Sequence, residues 1–467
     1  MSGDNAVVEN PLGTQPIKSM IWKFAIPGII SQLVNSMHNI VDQIFAGWGI
    51  GDLGIAATNI AFPLATITTA LSVLYGSGAA SRFSILLGEK ETGEAQKTLG
   101  NALTLMILSG VIIVLCAIVF LKPMLYLFGV TELIMPYAEP YALIISMGIP
   151  FGIFSAGMSY FIRADGNPNY SSIVLLSGAI FNIIFDPIFL FVFKMGIEGI
   201  ALATVLGQVL SSILALYYLL RKFKAVTISA RALFLRAPVV RSICALGAAA
   251  FTTHLLSTIV QIIQMNTLKH YGALSIYGSE IPIAASGAVG KIMIVFMSCV
   301  IGISLGCQPL YGFNFGSKKY NRVKETYLLA IRYGTTVAIV AFLCLQLFTQ
   351  PILSIFGSSD PLFYEFATRY IRIFMFMLFV NALQPITSTF FTSIGKANLG
   401  FCMAIIRQGL LLIPLLLLLP RLFGIDGVFF AGPITDGIAA VMVVLFATRE
   451  IRKLTKMQLE NESIIKE

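Results

Sequence analysis

The sequence predicts an all-α integral membrane protein with twelve transmembrane helices in two pseudo-symmetric six-helix bundles. Three observations predict it. The chain has 467 residues, of which 57% are hydrophobic and only 11% charged, and its mean hydropathy is +0.87; soluble chains carry roughly a quarter charged residues. Apolar runs of about 20 residues recur from end to end, each long enough to cross a hydrocarbon core about 30 Å thick. They fall at approximately 22–46, 53–80, 99–121, 136–161, 171–193, 198–220, 241–267, 281–308, 326–348, 362–391, 398–419 and 427–448. Finally, matching segments recur at a nearly constant offset. Lys122-Pro-Met-Leu-Tyr-Leu-Phe-Gly129 answers Gln350-Pro-Ile-Leu-Ser-Ile-Phe-Gly357, Met195-Gly-Ile-Glu-Gly199 answers Phe423-Gly-Ile-Asp-Gly427, and Gly88-Glu-Lys90 answers Gly316-Ser-Lys318, each 228 residues on. A fixed long period marks a duplicated unit. Six helices per unit is an even number, so both copies face the same way, and a site is expected between or within the two lobes.

The charge distribution sets the topology. With both termini in the cytoplasm, only Lys122, Lys194, Lys269 and Arg421 of the 31 Lys and Arg fall in outer loops, as the positive-inside rule requires. The net charge of +9 is therefore a membrane-topology signal and points to no nucleic-acid partner. No cleavable signal peptide is evident, because the first twenty residues are polar and the first apolar run is too long. The expected organisation is a cytoplasmic segment 1–20, a first lobe 21–221, a basic cytoplasmic linker 222–240, a second lobe 241–450 and a cytoplasmic tail 451–467. The six Cys form no CxxC pair and are expected to be small buried hydrophobes.

Helix 1 carries Pro27, which removes a backbone donor and is expected to bend it. Asn35, Asn39 and Asp42 then share one face, and His38 lies four residues before Asp42, within reach of it. A polar stripe on a membrane helix should face the protein interior, for interhelical hydrogen bonds or for function; the charge of Asp42 favours function, and the titration range of histidine suits a proton relay at His38. Helix 2 ends in the small residues Gly76-Ser-Gly-Ala-Ala-Ser81, suited to close packing. Phe154 and Met158 of helix 4 belong to an apolar stripe that would pack or wall a substrate chamber. Helix 5 places Asn182 and Asp186 four apart on one face, followed by Pro187, which bends the helix and leaves the Ile183 carbonyl without its usual partner. At 1.5 Å per residue Asp186 lies about 22 Å from the cytoplasmic end, and Thr204 of helix 6 about 9 Å from the outer face. Ionisable groups at such depth mark ion or substrate paths by default. Asp42, Asp186, Asn182 and Thr204 would thus converge into a set able to hold a proton or share a monovalent cation through oxygen.

The second copy lacks that set: Asp186 maps near Ile413 or Pro414, and Thr204 onto Gly432. It has charges of its own, Lys291, Arg407 and Asp436, each about 14 Å into its helix, with an Arg407–Asp436 ion pair expected because buried charges need partners. Gln261, Gln264 and Met293 join these as candidate cavity residues. No HExxH, GxSxG, Walker A or Cys/His cluster occurs, so no enzyme, cofactor or resident metal is expected.

Asn182-xxx-Asp186-Pro187, with Arg-Ala-Asp-Gly-Asn-Pro168 before it and Gly-Ile-Glu-Gly-Ile-Ala-Leu-Ala-Thr204 after, resembles the multidrug and toxic compound extrusion (MATE) family, in its DinF/MepA-like branch. The segment from Gln308 to Lys324, Pro27 and Asp42 strengthen the resemblance, which covers nearly the whole chain. It implies a V of two six-helix bundles in the bacterial cytoplasmic membrane. It implies a monomer exporting small amphipathic or cationic drugs in exchange for H+ or Na+ by alternating access. It carries the coupling role onto Asp42, Asn182, Asp186 and Thr204, with Asn35 and Asn39 beside them. His38 stands where the resemblance leads one to expect Tyr. The alternative from a different class is a lipid-linked oligosaccharide flippase or polysaccharide exporter, which a basic cavity would favour.

Overall fold

Backbone amides and carbonyls in a bilayer must bond within their own segment, and each of the twelve apolar runs is accordingly helical. The computed structural model describes residues 10–354 and 360–466, apart from the side chains of Asn39, Asp52 and residues 464–466. The long segments, in chain order, are α1 (Ile17–Ile50), α2 (Asp52–Gly88), α3 (Thr92–Leu127), α4 (Met135–Ala164), α5 (Pro168–Val192), α6 (Ile197–Arg221), α7 (Ala237–Ala273), α8 (Glu280–Gly316), α9 (Tyr320–Leu347), the two-part α10 (Pro361–Phe374 and Leu378–Ser393), α11 (Ala397–Phe423) and α12 (Asp426–Lys466). No strand occurs among the described residues. Ten of these helices are long and apolar enough to span a membrane, and the bent pair of α10 makes an eleventh. α1 has the length, at 34 residues, but its polar stripe, in which Asp42 is buried, lowers its hydropathy. The end of the Gln350–Gly357 match lies outside the described residues.

Departures from regular helix cluster where proline or an interior charge intervenes. α1 runs unbroken through Pro27. After Pro187 the chain turns to π-helix over Ile188–Val192, and α11 is π-helical over Ile405–Leu412, the turns that carry Arg407. Single π turns of this kind recur at functional sites. α10 bends by 45° at its break, and Asn381 lies just past the 3-10 turn Leu378–Val380 within it.

Outward faces are apolar, as in Leu108, Ile112, Leu115 and Val119 of α3, which is the surface a lipid solvent demands. Cys116, Cys344 and Cys402 sit on such exposed faces and only Cys307 is buried, contrary to expectation; a thiol is apolar enough for lipid as well as for a core.

The two halves meet through α1 and α2 on one side and α7 and α8 on the other, and glycines set the approach. A Cβ on Gly88 would lie 2.2 Å from the Phe313 carbonyl, and one on Gly316 would lie 2.0 Å from that of Ile85. These two contacts are exchanged by the 228-residue offset, so the duplication appears as a local two-fold. Between the same helices Gln308 donates through Nε2 to the carbonyl and hydroxyl of Ser77 and to Ser81 Oγ, at 2.9–3.0 Å. The contacts named here come from the ends of α2 and α8 next to the Gly-Glu-Lys and Gly-Ser-Lys loops.

Residues 10–20, part of the expected cytoplasmic segment, pack against the rest of the chain. Leu12, Ile17 and Met20 are buried, and the Leu12 carbonyl accepts from Asn314 Nδ2 (3.0 Å) and Arg322 Nη2 (3.3 Å) of the second half. The basic linker is likewise pinned to the first half. Asp165 accepts from Ala225 N (2.7 Å), Lys224 N (3.1 Å) and the Tyr218 hydroxyl (2.7 Å), and burial holds its carboxyl above the usual carboxylate range. Asn101 donates to the Ala232 and Phe234 carbonyls and accepts from Arg236 N (2.7 Å).

Candidate ion-coupling site and central cavity

α1 and α5 pack side by side, which brings the two acidic residues of the first half together. Asp42, Asn182 and Asp186 are 8%, 1% and 0% exposed. The four-residue spacing lets Asn182 donate from Nδ2 to Asp186 Oδ1 (3.0 Å), and the same nitrogen donates to Thr204 Oγ1 on α6 (3.0 Å). Thr204 in turn donates to the Ile200 carbonyl (3.1 Å), so its lone pairs face Asn182. The carboxyl groups of Asp42 and Asp186 lie within hydrogen-bonding reach of each other. His38 Nε2 is 3.5 Å from Asp42 Oδ2.

This set is short of donors and rich in oxygen. Asp42 Oδ1, Asn182 Oδ1, Asp186 Oδ2 and His38 Nδ1 are buried and have no hydrogen-bond partner. Buried polar atoms without partners are costly, and two carboxylates in contact away from water repel strongly. A proton or a small hard cation relieves both costs. Among the described residues no group of three or more His, Cys, Asp or Glu is arranged to hold a metal ion.

The cluster borders a cavity of about 480 Å³ between the halves. His38, Asn35 and Thr204 line it, so one wall residue, His38, lies beside Asp42 and another, Thr204, is bonded to Asn182. From the second half come Thr253, His254, Gln384, Arg407 and Gln408. The side chain of Asn39 lies outside the described residues.

A second cluster lies in the other half. Arg407 donates to Asp436 Oδ1 from Nε (3.0 Å) and Nη2 (2.8 Å), and from Nη2 to Asn381 Oδ1 (2.8 Å). Asn381 Nδ2 reaches back to Asp436 Oδ2 at 3.5 Å. The expected ion pair is present, but Lys291 is not part of it: Lys291 is exposed and shows no ion pair among the described residues. Met293 and Asp436 line a pocket of about 30 Å³ beside this cluster, and Arg407 lines both spaces.

The family model for MatE matches residues 27–188 and again 249–418, one match in each half. The chain belongs to the MATE family. The multidrug export protein MepA of Staphylococcus aureus (strain MRSA252) is 25% identical over 438 residues, covering 93% of this chain and 95% of the relative. MepA of Staphylococcus saprophyticus is 26% identical over 452 residues, covering 95% and 97%. Among solved structures, the MATE multidrug transporter DinF-BH is 30% identical with a TM-score of 0.86, covering 94% of this chain and 96% of that one. An outward-facing multidrug resistance MATE transporter shares the fold at a TM-score of 0.88 and 21% identity, covering 95% and 98%. The likeness supports a multi-pass membrane transporter of the MepA/DinF-like branch, in the class of drug-efflux transporters.

Several expected cavity residues of this MATE transporter lie elsewhere. Met158 is fully buried in the core of the first half, and Phe154 packs against that core. Gln261 is exposed without lining the cavity, and Gln264 is bonded to the Tyr370 hydroxyl within the second half. The face of a helix that meets the cavity is set by packing between the halves, which periodicity along one helix does not encode. Sequence reasoning passed over Arg163, His254 and Asn381. Arg163 had a signal, a cation at the inner end of a span, but entered only the topology and the motif of the family resemblance. Asn381 had one too, lying in a segment of 30 residues that proved broken.

Proposed function

We propose that this MATE transporter is a secondary antiporter. It exports small amphipathic molecules in exchange for inward H+ or Na+, with Asp42 and Asp186 as the coupling pair and Asn182 and Thr204 as neutral ligands. The observation that carries this reading is the contact of two buried carboxyls whose free oxygens have no donor, beside a cavity wall shared with His38 and Thr204. When a cation binds, the pair carries one negative charge instead of two, its mutual repulsion is removed, and α1 can rest against α5. When it leaves, two negative charges face each other out of water, and the helices gain a reason to part. A ligand moves such an equilibrium only by its differential affinity for the two states; a swing from 1:99 to 99:1 requires about 5.5 kcal/mol. His38 is the entry point for a proton, since it touches both the cavity and Asp42. Arg407, held by Asp436 and Asn381, is a fixed cation in the second half, so coupling is confined to the first. Both termini are placed in the cytoplasm, and the path lies within one chain, so a monomer suffices. The contacts between halves then lie at the cytoplasmic end, which supports an outward-facing state.

The test is Asp186→Asn. This variant should reach the membrane in normal amount and lose gradient-driven dye efflux; efflux at the wild-type rate would reject the assignment. The oligosaccharide-flippase reading is favoured by Arg163 and Arg407 in the cavity wall. It is disfavoured by a volume that suits a drug-sized molecule, for which pockets run from about 300 to 1,000 Å³.

A further inference from the structure

We infer that the substrate class of the central cavity is a small organic anion, whose carboxylate, sulfonate or phosphate is received by Arg163. The inference rests on the antiporter reading and departs from the cationic cargo expected by family resemblance. Organic cations are recognised by aromatic faces and carboxylates. Among the described residues that line the cavity there is no Asp or Glu and no Phe or Trp, and the single Tyr is Tyr160. One face of that ring is already taken, with Arg163 Cζ 4.6 Å from its centroid. Ser, Thr and Gln supply half of the lining residues, and the permanent charges of the wall are those of Arg163 and Arg407.

The two arginines differ. Arg407 is neutralised by Asp436 and also donates to the neutral Asn381. Arg163 has no carboxylate partner among the described residues. It donates from Nη1 to Ser171 Oγ (3.0 Å), and that hydroxyl is oriented by its own donation to the Ser159 carbonyl (2.9 Å). A guanidinium carries five N–H donors in a planar fork that matches carboxylate and phosphate. A buried charge without a counterion is expensive, and a bound acid supplies the counterion. Gln208 Oε1, also in the wall, is buried without a donor, and is suited to accept from a hydroxyl or N–H of the same molecule. Arg163 is one residue from the inner end of α4, whereas Asp186 lies about 27 Å along α5 from its inner end. Substrate anion and coupling cation therefore occupy opposite ends of the cavity and need not cancel each other.

The experiment is a fluorescence-anisotropy titration of the full chain in nanodiscs with two probes, fluorescein as the anion and ethidium as the cation. Fluorescein should bind more tightly than ethidium. Arg163→Gln should weaken fluorescein about tenfold or more, equivalent to about 1.4 kcal/mol, leave ethidium within about twofold, and be partly rescued by Arg163→Lys. Because a buried arginine can also be needed for folding, Gln408→Glu provides a second arm. It adds a carboxylate to the wall and should weaken fluorescein while strengthening ethidium. Tighter binding of ethidium to the wild type overturns the inference, as does fluorescein affinity indifferent to Arg163→Gln and Gln408→Glu. Adding phosphatidylglycerol to the nanodiscs separates two sources of the acid: competition with fluorescein assigns the Arg163 site to a lipid headgroup, and its absence assigns it to a free anion. Transport in vesicles then isolates the antiporter reading. Fluorescein that binds but moves under neither gradient rejects antiport alone, and ethidium that binds and moves rejects the anion alone.

Discussion

Asn182 connects the proposed ion site to the rest of the molecule at the scale of single residues. Its amide nitrogen is shared between Asp186 and Thr204, while its oxygen remains free. Much of this was legible in the sequence. Asn182-xxx-Asp186 is a one-turn spacing, Asp42 and Asp186 both fall in the outer half of their spans, and a carboxylate in a span is costly enough to announce itself. The hydroxyl-lined wall was not legible, because Ser and Thr occur on membrane helices for packing as often as for ligands. The Arg407–Asp436 pair gives a prediction at this scale. Arg407→Ala leaves Asp436 buried with only Asn381 near it and should cost about 3–5 kcal/mol, whereas replacing both by leucine should be close to neutral. Thermal unfolding in detergent measures this; a double variant as unstable as the single one would show that the pair contributes more than mutual neutralisation.

At the scale of helices, small residues decide how far the halves can close. The sequence marks the stretch Gly76–Ser81 as a packing surface, and Gly78 indeed meets α7, where a Cβ would lie 2.3 Å from the Ile243 carbonyl. The partners of Gly88 and Gly316 are not legible from one chain segment, since each glycine is matched to backbone in the other half. Gly316→Ala places a methyl group 2.0 Å from the Ile85 carbonyl, a contact with backbone that cannot be relieved by a rotamer change. The variant should disfavour the state in which these ends meet. In a cysteine-free background carrying Ser304→Cys on the cavity wall, labelling by a membrane-impermeant thiol reagent should fall from the outside and rise from the inside. Unchanged accessibility from both sides would mean that the contact does not set the conformational balance.

At the scale of the molecule, the duplicated plan carries unequal chemistry. The period of 228 residues and the twelve apolar runs sufficed for the architecture, because lipid leaves the backbone little choice. The halves then diverge: the first holds a carboxyl pair that needs a cation, the second a pair that already contains one. If the proposed exchange holds, the protein should respond to a cation gradient through the first half alone. Dye efflux from proteoliposomes, with proton and sodium gradients imposed separately on the wild type and on Asp186→Asn, tests this most directly. One gradient should drive efflux from the wild type and neither should drive it from Asp186→Asn. Equal gradient-driven efflux from both proteins would contradict the account.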